Sequence, residues 1–132
     1  MAFRFEFDSV NKILLSRFEG RLTDESTVEF YEAAWKYATA TDPSAGIVDF
    51  SSVTEFAVSS EILRQLARQK SDLPNAIRRP RVVVAPQTHA FGLFRMFQIV
   101  GADTRPLLQV VHTMDEAYTA LGVQSPHFEP LE

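Results

Sequence analysis

The segment from Asp49 to Ser60 gathers side chains that could do chemistry. Asp49 closes a short apolar run, a polar stretch from Ser51 to Val58 follows, and Ser59 and Ser60 open a helical pattern. A carboxylate at a strand end beside a helix N-terminus lies where α/β sheets bind ligands and where backbone N–H groups attract anions. Two structural roles are equally open to these residues. Asp49 could accept N–H bonds that hold the loop, and one of the serines could cap the helix, a contribution of ~1 kcal/mol.

Other catalytic signals are weak. The three histidines, His89, His112 and His127, are far apart, and no cysteine is present to complete a metal site with them. His89 follows a valine-rich run and could join Asp49 and Ser59 in an enzyme site only if the fold brings the three together. The sequence has neither a glycine-rich phosphate loop nor a Gly-x-Ser-x-Gly elbow. We therefore expect no enzyme, no metal and no cofactor.

A strongly apolar helical pattern from Thr88 to Ala102 carries a surface signal. We expect one face of this helix to cover the sheet through Leu93, Met96, Phe97 and Val100. Phe91 and Phe94 fall near Arg95 on the other side, and leaving such a ring in water costs about 1.5–3 kcal/mol. They predict a protein-partner or dimer patch, or the lip of an apolar pocket. The loop from Ser71 to Arg79 or the C-terminal tail could equally cover them.

Charge is unevenly distributed, although the net charge is only −4. A basic segment has a single acid, Asp72, among Arg64, Arg68, Lys70, Arg78, Arg79 and Arg81. It could dock an acidic partner or a phosphate-bearing ligand, or it could be solvated. Because no aromatic residue interrupts it and the whole chain is acidic, we expect no nucleic-acid binding.

Composition agrees with a soluble protein. The chain has 132 residues, of which 45% are hydrophobic and 23% charged, enough for one ordinary domain. No apolar run approaches the ~20 residues of a membrane helix, and the first residues do not read as a signal peptide. We expect a cytoplasmic protein with no integral membrane association.

The elements that must position these residues follow from periodicity. Alternating Phe3, Phe5 and Phe7 predict a strand that pairs antiparallel with a second strand ending near Gly20. Thr23 is expected to cap a helix whose apolar face contains Val28, Tyr31, Trp35 and Ala38. Three further strand–helix pairs follow, with strands near 45–50, 81–85 and 107–111 and helices near 60–70, 88–102 and 114–121. The order ββαβαβαβα predicts an α/β fold, with a mixed, mostly parallel five-stranded sheet and about four helices over residues 1–123. Residues 124–132 are predicted to be an irregular tail.

Several motifs in this order resemble the STAS domain family, in particular its SpoIIAA-like branch. The resemblance covers residues 3 to 123 and begins with Asp49-Phe50-Ser51-Ser52-Val53-Thr54 before a serine-led helix. It is supported by the opening hairpin and by Phe18-Glu19-Gly20, Arg81-Val82-Val83-Val84-Ala85-Pro86, Phe91-Gly92-Leu93-Phe94-Arg95-Met96-Phe97 and Thr113-Met114-Asp115-Glu116-Ala117.

The resemblance implies a non-enzymatic regulatory module that binds a protein partner or forms a homodimer. Antagonist members of the family open the helix with Asp-Ser-Ser/Thr-Gly and are phosphorylated on the first serine. Here Ala57 and Val58 replace that Asp and Ser, which argues against a phospho-switch, although hydroxyls follow immediately. The alternative is a small apolar ligand or lipid held between helices and sheet. The candidate partner- or ligand-binding residues are Asp49, Ser59, Ser60, His89, Phe91, Phe94 and Arg95.

Overall fold

A computed structural model of the chain describes residues 3–68, 79–103 and 106–131. Most of the predicted polar loop at 71–80, with Lys70, Asp72 and Arg78 of the basic segment, lies outside these ranges. The strands are β1 (Phe3–Asp8), β2 (Ile13–Thr23), β3 (Ala45–Ala57), β4 (Arg81–Val84), β5 (Leu108–Val111) and β6 (Glu129–Pro130). The helices are α1 (Asp24–Thr41), α2 (Ser60–Arg68), α3 (Thr88–Val100) and α4 (Met114–Leu121).

The sheet confirms the predicted α/β class. Its strand order is β5-β4-β3-β2-β1-β6, and β2 to β5 run parallel to one another. β1 pairs antiparallel with β2, as the short link between them predicted. The sheet has six strands rather than five, because the end of the chain returns to pair with the outer edge of β1.

Helices cover the two sheet faces unequally. Side chains of α1, α2 and α3 pack in a large cluster with strand residues such as Leu14, Phe18 and Val83. The opposite face carries a smaller cluster that includes Ile13, Leu15 and residues of α4. Successive strand residues point to opposite faces, so β2 contributes to both layers. In the described ranges, no helix combines the length and the apolar character needed to cross a membrane.

Aromatic packing sets the orientation of α1. Phe30, the buried residue of this helix, stacks on Phe3 at 5.7 Å between ring centroids and lies 5.7 Å from Phe18 and 6.1 Å from Phe50. The predicted apolar face of α1 is therefore only partly its core face: Ala38 packs against the core cluster, but Val28 is 36% exposed and Trp35 46% exposed.

The core-facing side of α3 is wider than predicted, because Leu93, Met96 and Phe97 pack against the core cluster as expected, but Phe94 belongs to that cluster too. Ala90 and Phe94 are the buried residues of this helix, and Phe94 stacks on Phe50 with 4.5 Å between centroids. The placement of Phe94 on an outer surface was wrong, because the Phe50 ring offers it a partner in the core. Phe91 is half-buried and stacks on His112 at 4.0 Å.

The predicted loop from Ser51 to Val58 is mostly strand. β3 continues to Ala57 because β2 runs beside it as far as Thr23. The pairing of β2 with β3 shifts its register next to Gly20, and β2 continues past its predicted end there. Gly20 has a φ of +82°, a conformation that favours glycine. Because β3 extends to Ala57, Asp49 lies within this strand rather than at its end. The neighbouring strand β4 does end opposite Asp49.

Helix ends follow the sequence signals. Thr23 caps α1 by accepting from the Ser26 amide at 3.1 Å, and Asp42 ends that helix in a left-handed conformation before Pro43. Thr113 caps α4 through the Glu116 amide at 3.1 Å, and Gly122 ends it. These local hydrogen bonds need no tertiary partner, which is why the sequence predicts them well.

The tail predicted to be irregular is attached through Asp8. This residue is 1% exposed, and its carboxylate accepts from the amides of Val10 (3.0 Å), Asn11 (3.1 Å) and His127 (3.2 Å) and from the Asn11 side chain (2.8 Å). Leu131 then donates its amide to the Phe5 carbonyl at 2.9 Å. One carboxylate thus joins the β1–β2 turn to the tail.

Asp8→Asn is expected to lower the free energy of unfolding by about 2 kcal/mol at pH 7, because an amide nitrogen would face donors that now meet a charged oxygen. Burial raises the pKa of the Asp8 carboxyl, but hydrogen bonds from Asn11, His127 and Val10 outweigh burial and leave the pKa below its ordinary value. The wild-type advantage should therefore be complete above about pH 5 and shrink as the pH falls below about 4. Urea unfolding across this range measures it, with exposed Asp103→Asn as control. Equal midpoints for wild type and Asp8→Asn at pH 7 would contradict this role.

Candidate functional site

An apolar cavity lies between α1 and the sheet. Its volume is about 210 Å³. Strand residues Leu14, Val48 and Val83 form part of its floor, and Ala34 and Leu63 belong to its helical walls. Other lining side chains include Phe30, Phe50, Phe94, Phe97 and Leu108. The cavity is suited to an apolar ligand, since ligand pockets are lined mainly by such side chains with a few polar groups.

A surface groove between α1 and α2 continues outward from the cavity. Its apolar lining is Val28, Tyr31, Trp35, Ile62 and Leu66. Tyr31, Trp35 and Leu66 also line the cavity, so the groove leads into it. The sequence identified the α1 stripe that lines this groove but not its role, because a stripe of this kind usually faces a core.

The charged side chains that line the cavity lie toward one end. Arg79 and Arg81 line it beside Pro43 and Gly46, where β3 and β4 begin. Sequence analysis treated both arginines only as members of the basic segment. Their proximity to the cavity depends on the parallel pairing of Arg81 with Gly46, which the sequence does not specify.

Ser59 joins the N-termini of α1 and α2. Its hydroxyl donates to Asp24 Oδ2 at 2.9 Å, and its amide donates to Asp24 Oδ1 at 2.6 Å. The same hydroxyl accepts from the Ile62 amide at 3.2 Å, the hydrogen bond expected of a helix cap. Ser60 is exposed, whereas Val58 is 8% exposed and belongs to the core.

Asp49 lies on the α4 side of the sheet. Its Oδ1 accepts from the Ser51 amide at 2.9 Å and from the Ser51 hydroxyl, and its Oδ2 lies 3.9 Å from Arg17 Nη1. Arg17 Nε in turn lies 2.9 Å from Glu6 Oε2. These contacts match the structural role considered for Asp49, because they hold a 5% exposed carboxylate in place. Period-two spacing on paired strands could have suggested the Glu6–Arg17 pair.

Tyr118 of α4 faces this ionic cluster. Burial raises the pKa of its phenol. The positive charge of Arg17 opposes this rise, and the negative charges of Asp115, Asp49 and Glu6 reinforce it. The phenol therefore remains neutral at physiological pH.

The residues considered for an enzyme do not form one site. Among the described residues, Asp49 contacts Ser51 and Arg17, Ser59 contacts Asp24 and Ile62, and no hydrogen bond or ion pair joins either of them to His89. His89 and Arg95 are exposed on α3, where Arg95 donates to Gln98 Oε1 at 3.0 Å. Nor do the described ranges contain a group of three or more acids and histidines that could hold a metal ion. A binding role for these residues stays a prediction, and Phe94 is the one that lines the cavity.

Comparison with known proteins identifies the fold. No family model and no curated protein sequence matches the chain. Two solved structures match almost all of it. The anti-sigma factor antagonist SpoIIAA in its unphosphorylated form has a TM-score of 0.60 and 13% identity, over 94% of this chain and 100% of the other. The Bacillus cell fate determinant SpoIIAA in the phosphorylated form has a TM-score of 0.50 and 21% identity, over 89% and 97%. The chain therefore has a SpoIIAA-like, STAS-type fold, as its motifs predicted.

Proposed function

We propose that this chain is a non-enzymatic regulatory module that binds a protein partner in the groove between α1 and α2. The observation that carries the proposal is the exposure of Trp35 and Val28, at 46% and 36%, on one face of α1 beside Ile62 of α2. Tryptophan and tyrosine are enriched among the residues that dominate binding energy at interfaces. The exposure of Trp35 and Val28 in a surface groove favours recognition over packing.

Charge on the α1 side of the groove indicates the chemistry of the partner. The exposed side of α1 carries a run of acids, Asp24, Glu25, Glu29 and Glu32, with Lys36 as the only base of that helix. An amphipathic helix with an apolar face flanked by basic residues would complement both features. The structurally similar SpoIIAA is an anti-sigma factor antagonist, and a regulatory protein partner in the cytoplasm is the class that we propose for this chain. A homodimer is the alternative occupant.

Ser59 offers a means of controlling this groove. Its hydroxyl and amide bind the Asp24 carboxylate at the end of the groove where both helices begin. A phosphate on Ser59 would place like charges together and break this contact. The family's phosphorylated position is Val58 here, so a switch in this chain would use a different hydroxyl and a different local contact.

A second function is favoured by the apolar cavity beneath the groove. A space of about 210 Å³ with mainly apolar lining is large enough to hold more than one water molecule but offers few polar partners for water. We propose that it accepts a small apolar ligand. Groove and cavity share Tyr31, Trp35 and Leu66, so ligand binding would alter the surface offered to a partner.

Trp35→Glu is expected to weaken binding of a groove partner at least about tenfold, because it places a charge in the centre of an apolar contact. Partners captured from the source organism on the immobilised chain are purified, and their Kd is measured by calorimetry. The matched control is Val10→Glu, which changes an 87% exposed apolar residue in the β1–β2 turn. Purified partners that bind both variants as tightly as wild type would show that the groove is not the interface.

Light scattering of the free chain identifies a second copy as the occupant if a dimer forms and Trp35→Glu dissociates it.

Ser59→Ala is expected to lower the free energy of unfolding by about 1 kcal/mol, since it removes the cap of α2. It should also accelerate amide hydrogen exchange in the first turn of α2. Ser60→Ala is the control, because the Ser60 side chain makes no hydrogen bond within the described residues. If Ser60→Ala lowers the free energy of unfolding as much as Ser59→Ala or more, Ser59 is not the residue that caps α2.

Ala34→Phe is expected to fill the cavity and reduce binding of the neutral probe N-phenyl-1-naphthylamine severalfold, measured as its fluorescence enhancement. Ala120→Phe, at an exposed position of α4, adds the same ring away from the cavity. If the probe binds wild type and Ala34→Phe equally, it does not occupy this cavity.

A further inference from the structure

The apolar cavity has guanidinium groups at one end. Arg79 and Arg81 line it together with Pro43 and Gly46, whereas Phe50, Leu63 and Phe94 line its interior. Arg81 belongs to β4 on the same face as Val83, a cavity residue, because alternate strand residues share a face. Its Cγ would lie 3.8 Å from a Cβ placed on Gly46. An apolar space with two arginines at one end matches an amphiphilic ligand better than a purely apolar one.

Arg79 is held at the cavity end by two contacts. Its Nη1 donates to the Pro43 carbonyl at 3.0 Å and lies 2.7 Å from Asp42 Oδ1. Both contacts come from one nitrogen of a group that has five N–H donors. Within the described residues, Nε and Nη2 of Arg79 make no hydrogen bond or ion pair, so they can meet a planar anion.

Asp42 competes for this guanidinium only weakly. The Asp42 side chain is 79% exposed, whereas that of Arg79 is 26% exposed. An ion pair with so exposed a partner contributes little, since water solvates the carboxylate nearly as well. A ligand carboxylate approaching from the cavity can share or replace this contact at small cost.

We infer that the cavity binds a single-chain fatty acid, with its carboxylate at Arg79 and Arg81 and its alkyl chain among the phenylalanines. This inference rests on the apolar-ligand function proposed above and adds the head group to it. The cavity volume of about 210 Å³ is below the ~300–1,000 Å³ of pockets for larger ligands. It therefore selects one chain of modest length over a two-chain lipid. Trp35, the only tryptophan of the chain, lines the cavity and reports its occupancy by fluorescence.

Three ligands with the same alkyl chain test the head group. Decanoate, decanol and decyltrimethylammonium are titrated into the delipidated chain, the two ions below their micelle concentrations and decanol below its solubility limit, with Trp35 fluorescence and calorimetry as readouts. Decanoate is expected to bind about tenfold more tightly than decanol, as a charge-assisted hydrogen bond predicts, and the cation should bind most weakly. Arg79→Gln should abolish the preference for decanoate without changing decanol binding. Arg21→Gln, which changes an exposed arginine of β2 that does not line the cavity, should change neither.

A second variant shifts the affinity in the opposite direction. Asp42→Asn removes the competing carboxylate and keeps a residue that tolerates the left-handed conformation of Asp42, whose φ is 48°. It should tighten decanoate binding severalfold and leave decanol unchanged. If decanol binds wild type as tightly as decanoate and neither variant alters the ratio, the head-group inference is wrong while the apolar-ligand function stands. If none of the three ligands binds, both are wrong.

Discussion

The packing of Phe30 against the strand phenylalanines is the constraint on which the rest of the structure depends. Its ring contacts Phe3, Phe5, Phe18 and Phe50, so three neighbouring strands bind α1 through one residue. Because residues five apart on a helix are separated by about 140° around its axis, burying Phe30 turns Trp35 away from the centre of the core. The exposed stripe of α1 follows directly from this orientation.

The same orientation accounts for the cavity. Beyond Phe30, the inward side of α1 offers mainly alanines, such as Ala34 and Ala38, and both line the space above the sheet. Small side chains leave a gap that larger ones would fill, and closely packed interiors have few such gaps. Phe94 and Phe50 stack on each other at one wall and cannot move into it without losing that contact. Groove, cavity and arginines are thus one continuous region on the face covered by three helices.

The opposite face of the sheet serves a different purpose. On that face, the Asp49 carboxylate, which the sequence suggested as part of a ligand site, accepts from Ser51 and lies beside Arg17. The Asp8 carboxylate binds amides of the β1–β2 turn and of the tail. Both carboxylates are nearly buried and surrounded by donors. They stabilise the framework that presents the binding region, which lies on the other side.

Local physics made much of this protein predictable from sequence. Thr23 and Thr113 cap their helices, and the alternation in β1 and the valine run of β4 predicted a mixed sheet with antiparallel and parallel parts. These signals act between residues close in the chain. The rotation of α1 and the burial of Phe94 on α3 were decided only by tertiary packing, because the Phe50 ring of β3 contacts both Phe30 and Phe94. The approach of Arg79 to the cavity and of Ser59 to Asp24 also depends on contacts between distant segments, which no local pattern encodes.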